Sequence, residues 1–106
     1  MERVCITGGA GFIGSHLAHS LVSGGARVVV LDDLSTGSLA NLAPLGGQVE
    51  MVRGSVLSPG DLDRALAGVR TVFHLAAYVS AAGSVQEPMA CHEVNTTGTL
   101  RVLEAC

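Results

Sequence analysis

At 106 residues the chain has room for one domain at most. It is 48% hydrophobic but only 3% aromatic, so aliphatic side chains must build its core. The net charge of −3, with no basic run, argues against nucleic acid or an acidic membrane surface as partner.

Val4-Cys5-Ile6 predicts a first strand over about Arg3–Thr7, with Cys5 a small core residue rather than a reactive thiol. Thr7-Gly8-Gly9-Ala10-Gly11-Phe12-Ile13-Gly14-Ser15-His16-Leu17 follows. Ile13, Leu17, Ala18, Leu21 and Val22 then recur at helical spacing, which predicts a helix over Phe12–Ser23 stopped by Gly24-Gly25. The order is strand, glycine-rich turn, helix, the context in which Gly9-x-Gly11-x-x-Gly14 and Gly8-x-x-Gly11-x-x-Gly14 carry meaning. Glycine keeps side chains out of the turn and lets a ligand reach the backbone. The free N–H groups of a helix N-terminus suit a pyrophosphate. His16 and His19 lie three apart on this helix, with no local carboxylate or cysteine to complete a metal site, and read as surface or partly packed side chains.

A second strand over about Arg27–Leu31 ends in Asp32-Asp33. Asp32 stands 18 residues past Gly14, close to where a carboxylate meets the adenosine ribose of a dinucleotide. A 2′-phosphate at ~4 Å from that carboxylate would be repelled by ~4 kcal/mol at an effective dielectric near 20. No arginine follows before Arg53, so NAD is expected over NADP. Leu34 to Leu42 is polar and then weakly helical; it reads either as a flap over the adenosine or as an ordinary connection. Gly46-Gly47 ends it, and a third strand is predicted over Val49–Arg53.

Ser58 as N-cap and Pro59 at the first helical position predict a helix over about Pro59–Ala67, closed by Gly68. A fourth strand is expected over Thr71–Leu75. Alternating strands and helices imply right-handed crossovers and a parallel sheet, an α/β Rossmann-type three-layer fold of strand order 3-2-1-4. The ligand crevice then opens between strands one and four, at their carboxyl ends. This brings His74-Leu75-Ala76-Ala77 beside the glycine turn, where small Ala76 and Ala77 allow close approach. His74 reads either as a satisfied strand-end histidine or as a support for that loop. Pro88 starts a last helix, over about Met89 to Cys106. Asn95-Thr96-Thr97-Gly98-Thr99 interrupts its strong helix formers, and Asn95 is read as holding neighbouring strand-end loops. Cys5, Cys91 and Cys106 have no paired spacing, which suits a reducing cytoplasm. The first strand begins almost at Met1, leaving no signal peptide, and no apolar run approaches a membrane span.

Across essentially its whole length the chain resembles the extended short-chain dehydrogenase/reductases, and among them the nucleotide-sugar epimerases and dehydratases. The matching residues are Thr7 to Leu17, Leu31-Asp32-Asp33-Leu34-Ser35-Thr36-Gly37, His74-Leu75-Ala76-Ala77, Ser84-Val85-Gln86-Glu87-Pro88, Asn95-Thr96-Thr97-Gly98-Thr99 and Leu103-Glu104-Ala105. The resemblance implies NAD held by Gly8, Gly11, Phe12, Ile13 and Gly14 around the pyrophosphate. It implies Asp32, with Asp33 beside it, on the adenosine ribose. Ser55 and Val56 would border the cofactor on the adenine side, and Leu75, Ala76, Ala77 and Asn95 its middle or nicotinamide half. The substrate it implies is a UDP- or dTDP-sugar, oxidised and reduced again by transient hydride transfer; a homodimer is also implied.

The chain departs from that pattern in three places. Gly54-Ser55 stands where the family usually carries Gly-Asp, so the hydrogen bond available near the adenine is uncharged. Val79 stands where some epimerases place a lysine near the cofactor. The family's chemistry uses a tyrosine acid/base with a lysine four residues later that lowers its pKa. Here all six basic residues are arginine, and the only tyrosine, Tyr78, has Ala82 four places on. The last helix reaches Cys106 without a glycine or proline stop, and strand four would be an apolar sheet edge. The chain therefore reads as the N-terminal part of an NAD-binding Rossmann domain, inactive alone, with no catalytic residue, the Tyr-x-x-x-Lys segment and sugar-binding domain lying elsewhere. Two other readings stay open: a stand-alone dinucleotide-binding module serving as redox sensor or partner-dependent subunit, and a degenerate fold kept for interactions.

Overall fold

The computed structural model describes residues 2–77 and 85–106. Tyr78, Val79 and Ser84 lie outside the described residues, and so do the expectations attached to them. Four strands, β1 (Arg3–Thr7), β2 (Arg27–Asp32), β3 (Val49–Arg53) and β4 (Thr71–His74), form one parallel sheet in the order β3-β2-β1-β4, as the alternation of elements predicts. The described helices are α1 (Phe12–Ser23), α2 (Pro59–Leu66), α3 (Pro88–His92) and α4 (Gly98–Ala105).

Side chains alternate across the sheet, and each strand feeds two cores. Val4, Ile6, Val28 and Val30 pack with Ala18, Leu17 and Leu21 of α1. Cys5, Val29, Leu31 and Val52 pack with Leu62 and Ala65 of α2 and Val102 of α4. Each fully buried Val or Leu contributes about 1.5–3 kcal/mol. With both faces covered, the strands can be almost wholly apolar. Burial pushes the Cys5 thiol up to about 11, which keeps it an inert core group. β4 pairs on one side only, so Val72 and Phe73 stand half-buried at a sheet edge.

The register places Thr7 between Leu31 and His74, so the carboxyl ends of β2, β1 and β4 lie side by side. β2 runs one residue further than its apolar stretch and includes Asp32, whose neighbour in β3 is Arg53. β4 ends at His74; the following N–H, on Leu75, still donates to Thr7 O and also lies 3.0 Å from Thr7 Oγ1. α2 stops at Leu66, where Ala67 leaves helical geometry at ψ 118°. The stretch after β2 forms two 3₁₀ turns, Leu39–Asn41 and Ala43–Gln48, in place of a regular helix. The last helix is not continuous: a π turn, Glu93–Thr97, separates α3 from α4. The interruption includes Asn95-Thr96-Thr97, residues of modest helix propensity.

Candidate functional site

The glycine turn is tied down before any ligand is considered. Gly8 N–H donates to Leu31 O at 2.8 Å, and Gly11 N–H to Gly8 O at 3.2 Å. Gly8 sits at φ +73°, and a Cβ there would lie 2.8 Å from Ala76 N, so this residue joins the turn to the loop after β4. A Cβ on Gly9 would meet the methyls of Val30 at 2.7 and 2.8 Å. One on Gly14 would run into Gly8 O and come within 2.7 Å of Gly9 Cα, so Gly14 lets α1 lie against the turn.

Gly11 is different. Its backbone is extended (φ −77°, ψ −178°), a conformation any residue adopts, and its missing Cβ would meet only Gly8 O at 3.4 Å. Three glycines of the motif are thus needed by the fold, while Gly11 keeps the cleft open. Gly11 is also the N-cap of α1 and supplies no side-chain cap, and the first turn carries no acidic residue. The leading N–H groups of α1 are left facing the cleft, as an anion requires.

Asp32 is buried at 9% exposure and its two oxygens are spoken for by backbone. Oδ2 accepts from Ala10 N–H at 3.0 Å and Oδ1 from Leu34 N–H at 2.8 Å. The carboxylate therefore locks the glycine turn to the end of β2. Each oxygen keeps a further lone pair, and Asp32 lines the cleft, so it can still accept from a ribose hydroxyl. Asp33 is exposed and closes a turn through Ser35 N–H at 2.9 Å. At the end of β3, Ser55 N–H donates to Asp61 Oδ2 at 3.0 Å, and Ser55 Oγ accepts from Leu57 N–H at 3.0 Å. The Ser55 N–H, and next the Arg64 guanidinium paired with it, hold the Asp61 carboxyl below its usual range.

A cleft of about 530 Å³ opens along these strand ends. Of the residues expected at a dinucleotide, Gly8, Gly11, Phe12, Ile13, Gly14, Asp32, Asp33, Ser55, Val56, Leu75, Ala76 and Ala77 line it. Asn95 does not: it is exposed, its Nδ2 lies 3.4 Å from Cys91 Sγ, and the wall there is made by Ala90 and Val94. The π turn shifts the face that the last helix turns toward the sheet, which sequence spacing cannot reveal. Gly98 is buried, and a Cβ there would come within 2.7 Å of Val56 Cγ2, so close packing explains the glycine.

Ser35, Thr36 and Gly54 also line the cleft, although none of them has an individual ligand role by sequence alone. Their signal was positional, since each follows a strand end. The stretch containing Ser35 and Thr36 lies on the glycine turn: Ser38 N–H and Asn41 Nδ2 both donate to Ala10 O, at 3.0 and 2.9 Å. The stretch is thereby anchored to the glycine turn at the edge of the cleft. His16 and His19 each bond a backbone carbonyl, of Phe12 and Asn41 respectively, and no cluster of metal-ligating side chains occurs among the described residues. His74 lies between Thr7 and Thr99, with Nδ1 2.7 Å from Thr7 Oγ1 and Nε2 3.0 Å from Thr99 Oγ1. Burial lowers its pKa from the ordinary histidine value. No helix among the described residues is long and apolar enough to cross a membrane.

The sequence pattern of the NAD dependent epimerase/dehydratase family matches residues 4–106. A UDP-glucose 4-epimerase of Mycolicibacterium smegmatis is 42% identical over 107 residues, covering 97% of this chain and 34% of its own length. The crystal structure of the Thermus thermophilus UDP-glucose 4-epimerase complex with NAD is similar at 42% identity and TM-score 0.88, over 98% of this chain and 33% of that one. A dTDP-glucose 4,6-dehydratase from Streptomyces venezuelae, with NAD and TYD bound, is similar at 37% identity and TM-score 0.90, over 97% of this chain and 35% of that one. The chain thus spans about a third of the length of the relatives it matches.

Proposed function

Because the chain belongs to the NAD dependent epimerase/dehydratase family, we propose that it is the NAD-binding part of an enzyme that epimerises or dehydrates a nucleotide sugar. The observation that carries this reading is Gly11: bare, unstrained, and set over an uncapped helix start opposite Asp32. A methyl there would project into that cradle and narrow the approach to the α1 N–H groups, where a pyrophosphate would lie. The N–H groups of Phe12 and Ile13 hold the phosphates, and Asp32 accepts from the adenosine ribose. Ser55 and Val56 border the base. Ala76 and Ala77 would admit the middle of the cofactor close to the backbone. Bound NAD supplies a hydride acceptor and donor, as transient oxidation of a sugar ring requires. This chain's part is to bind and orient it and to discriminate against a 2′-phosphate at Asp32.

Acid/base chemistry on the sugar hydroxyl is assigned to the two-thirds of the relatives' length that this chain does not span. The chain has no lysine to pair with a catalytic tyrosine. Residues 1–106 are then the N-terminal part of the dinucleotide-binding domain, with the sugar-binding part outside the chain and a homodimer expected of the intact protein. The missing lysine also favours a second reading, a stand-alone dinucleotide-binding module. A Tyr-x-x-x-Lys encoded beyond Cys106 selects the enzyme over the module. Isothermal titration with NAD tests both; absence of binding removes both and leaves a fold kept for interactions. Incubation of the chain with UDP-glucose and NAD is expected to give no epimer, and turnover would overturn the division of labour.

A further inference from the structure

The strand-end histidine is more than satisfied, because its two neighbours dictate where its proton sits. Thr7 Oγ1 accepts from Ala76 N–H at 3.2 Å and shares Leu75 N–H, at 3.0 Å, with the Thr7 backbone carbonyl, also at 3.0 Å. With both amides turned to its lone pairs, the hydroxyl hydrogen is the one left to reach a further acceptor. The acceptor in reach is His74 Nδ1 at 2.7 Å, an arrangement that favours a bare Nδ1. The other end gives the same answer independently. Thr99 Oγ1 donates to Asn95 O at 2.8 Å, so toward His74 it can only accept, and Nε2 at 3.0 Å must carry the hydrogen.

We propose that His74 is a positioning residue for the dinucleotide: held as the neutral Nε2–H tautomer, it ties the Leu75–Ala77 wall of the cleft to the π turn and α4. The chain of donors runs one way, from the Leu75 and Ala76 amides through Thr7, His74 and Thr99 to the Asn95 carbonyl. It spans β1, β4, the loop after β4 and the last helix. Its effect reaches the glycine turn, because a Cβ on Gly8 would come within 2.8 Å of Ala76 N, so a shift of the loop is felt there. The loop thus keeps one shape before the ligand arrives, and the ordering cost is not charged to binding. Thr7, His74 and Thr99 are not on the cleft wall, so their action is through Leu75, Ala76 and Ala77. The role toward the dinucleotide rests on the function proposed above; the tautomer and the tether do not.

The test uses the 106-residue chain and its Thr99→Val and Thr99→Ser variants. Nitrogen-15 NMR of the His74 ring near neutral pH is expected to show Nδ1 bare and Nε2 protonated; the opposite tautomer or a cation overturns the proposal. In Thr99→Val, which removes the acceptor while keeping the shape, amide exchange at Leu75 and Ala76 should quicken by about tenfold and NAD affinity fall by about three- to tenfold. Thr99→Ser, which restores the hydroxyl, should recover both. Unchanged exchange in Thr99→Val overturns the tether. Faster exchange with unchanged NAD affinity overturns the positioning role. If the parent chain binds no NAD, the proposed function falls and with it His74's role toward the dinucleotide, while tautomer and exchange still decide the tether.

Discussion

Gly11→Ala separates binding from folding at the glycine turn. The new methyl would stand 3.4 Å from Gly8 O, ordinary contact, on backbone that alanine adopts without strain. Alanine is a poorer N-cap than glycine by about 0.5–1 kcal/mol, but it reduces the freedom of the unfolded chain by about 0.4–1 kcal/mol. The two offset, and the melting temperature should move by no more than about 3 °C. The methyl instead occupies space in the cleft where a phosphate must approach the α1 N–H groups. Losing one hydrogen bond to a charged group costs about 1.5–3 kcal/mol, roughly ten- to 150-fold in affinity. Gly14→Ala is the counterpart: its methyl would collide with Gly8 O, costing about 3 kcal/mol or more in stability. Titration calorimetry with NAD and thermal melts of the three proteins decide the matter. A Gly11→Ala protein that melts and binds like the parent would refute the phosphate role, and an equally stable Gly14→Ala would refute the packing role.

NADP should bind at least about thirtyfold more weakly than NAD, half of the repulsion from Asp32 being enough for that; equal affinities by titration would contradict it. Asp32→Asn should lower both NAD affinity and the denaturation midpoint, because an amide can accept from only one of the Ala10 and Leu34 N–H groups and leaves the other unpaired at about 1–3 kcal/mol. Since burial lowers the His74 pKa from 6.5, the folded chain binds fewer protons there than the unfolded chain. Stability from this group is therefore complete above the unfolded value and is lost as pH falls from there through the folded value. Urea midpoints at about pH 7.5 and about pH 5.5 should differ more for the parent than for His74→Gln, and parallel curves would count against the assignment. Gly98→Ala should destabilise by about 1–3 kcal/mol, since its methyl meets Val56; an unchanged melt would show that Val56 yields freely.

Much of the architecture was legible because local signals agreed with one another. Ser58-Pro59 marked the start of α2, Gly24-Gly25 the end of α1, and the apolar strands implied a sheet covered on both faces. The parallel sheet followed from the alternation of elements, and nearly every expected ligand residue lines the cleft because the strand-end rule is topological. Three things were hidden. The glycines look alike in sequence, and only geometry shows that Gly11 faces open space while Gly8, Gly9 and Gly14 face atoms. Asp32 reads as a ligand residue, yet its backbone partners Ala10 and Leu34 make it structural as well. The π turn rotates Asn95 out of the wall and Val94 into it, and one residue of helical phase is beyond what periodicity resolves.

The central claim is that main-chain N–H groups at the first turn take a pyrophosphate while the end of the second strand takes a ribose. A crystal structure of the chain soaked with NAD tests it most directly. The expected result is density for the diphosphate over Gly11 and at the Phe12 and Ile13 amides, with ribose hydroxyls on Asp32. A clear map in which the cleft holds no dinucleotide, or holds one with its phosphates away from α1, would contradict it.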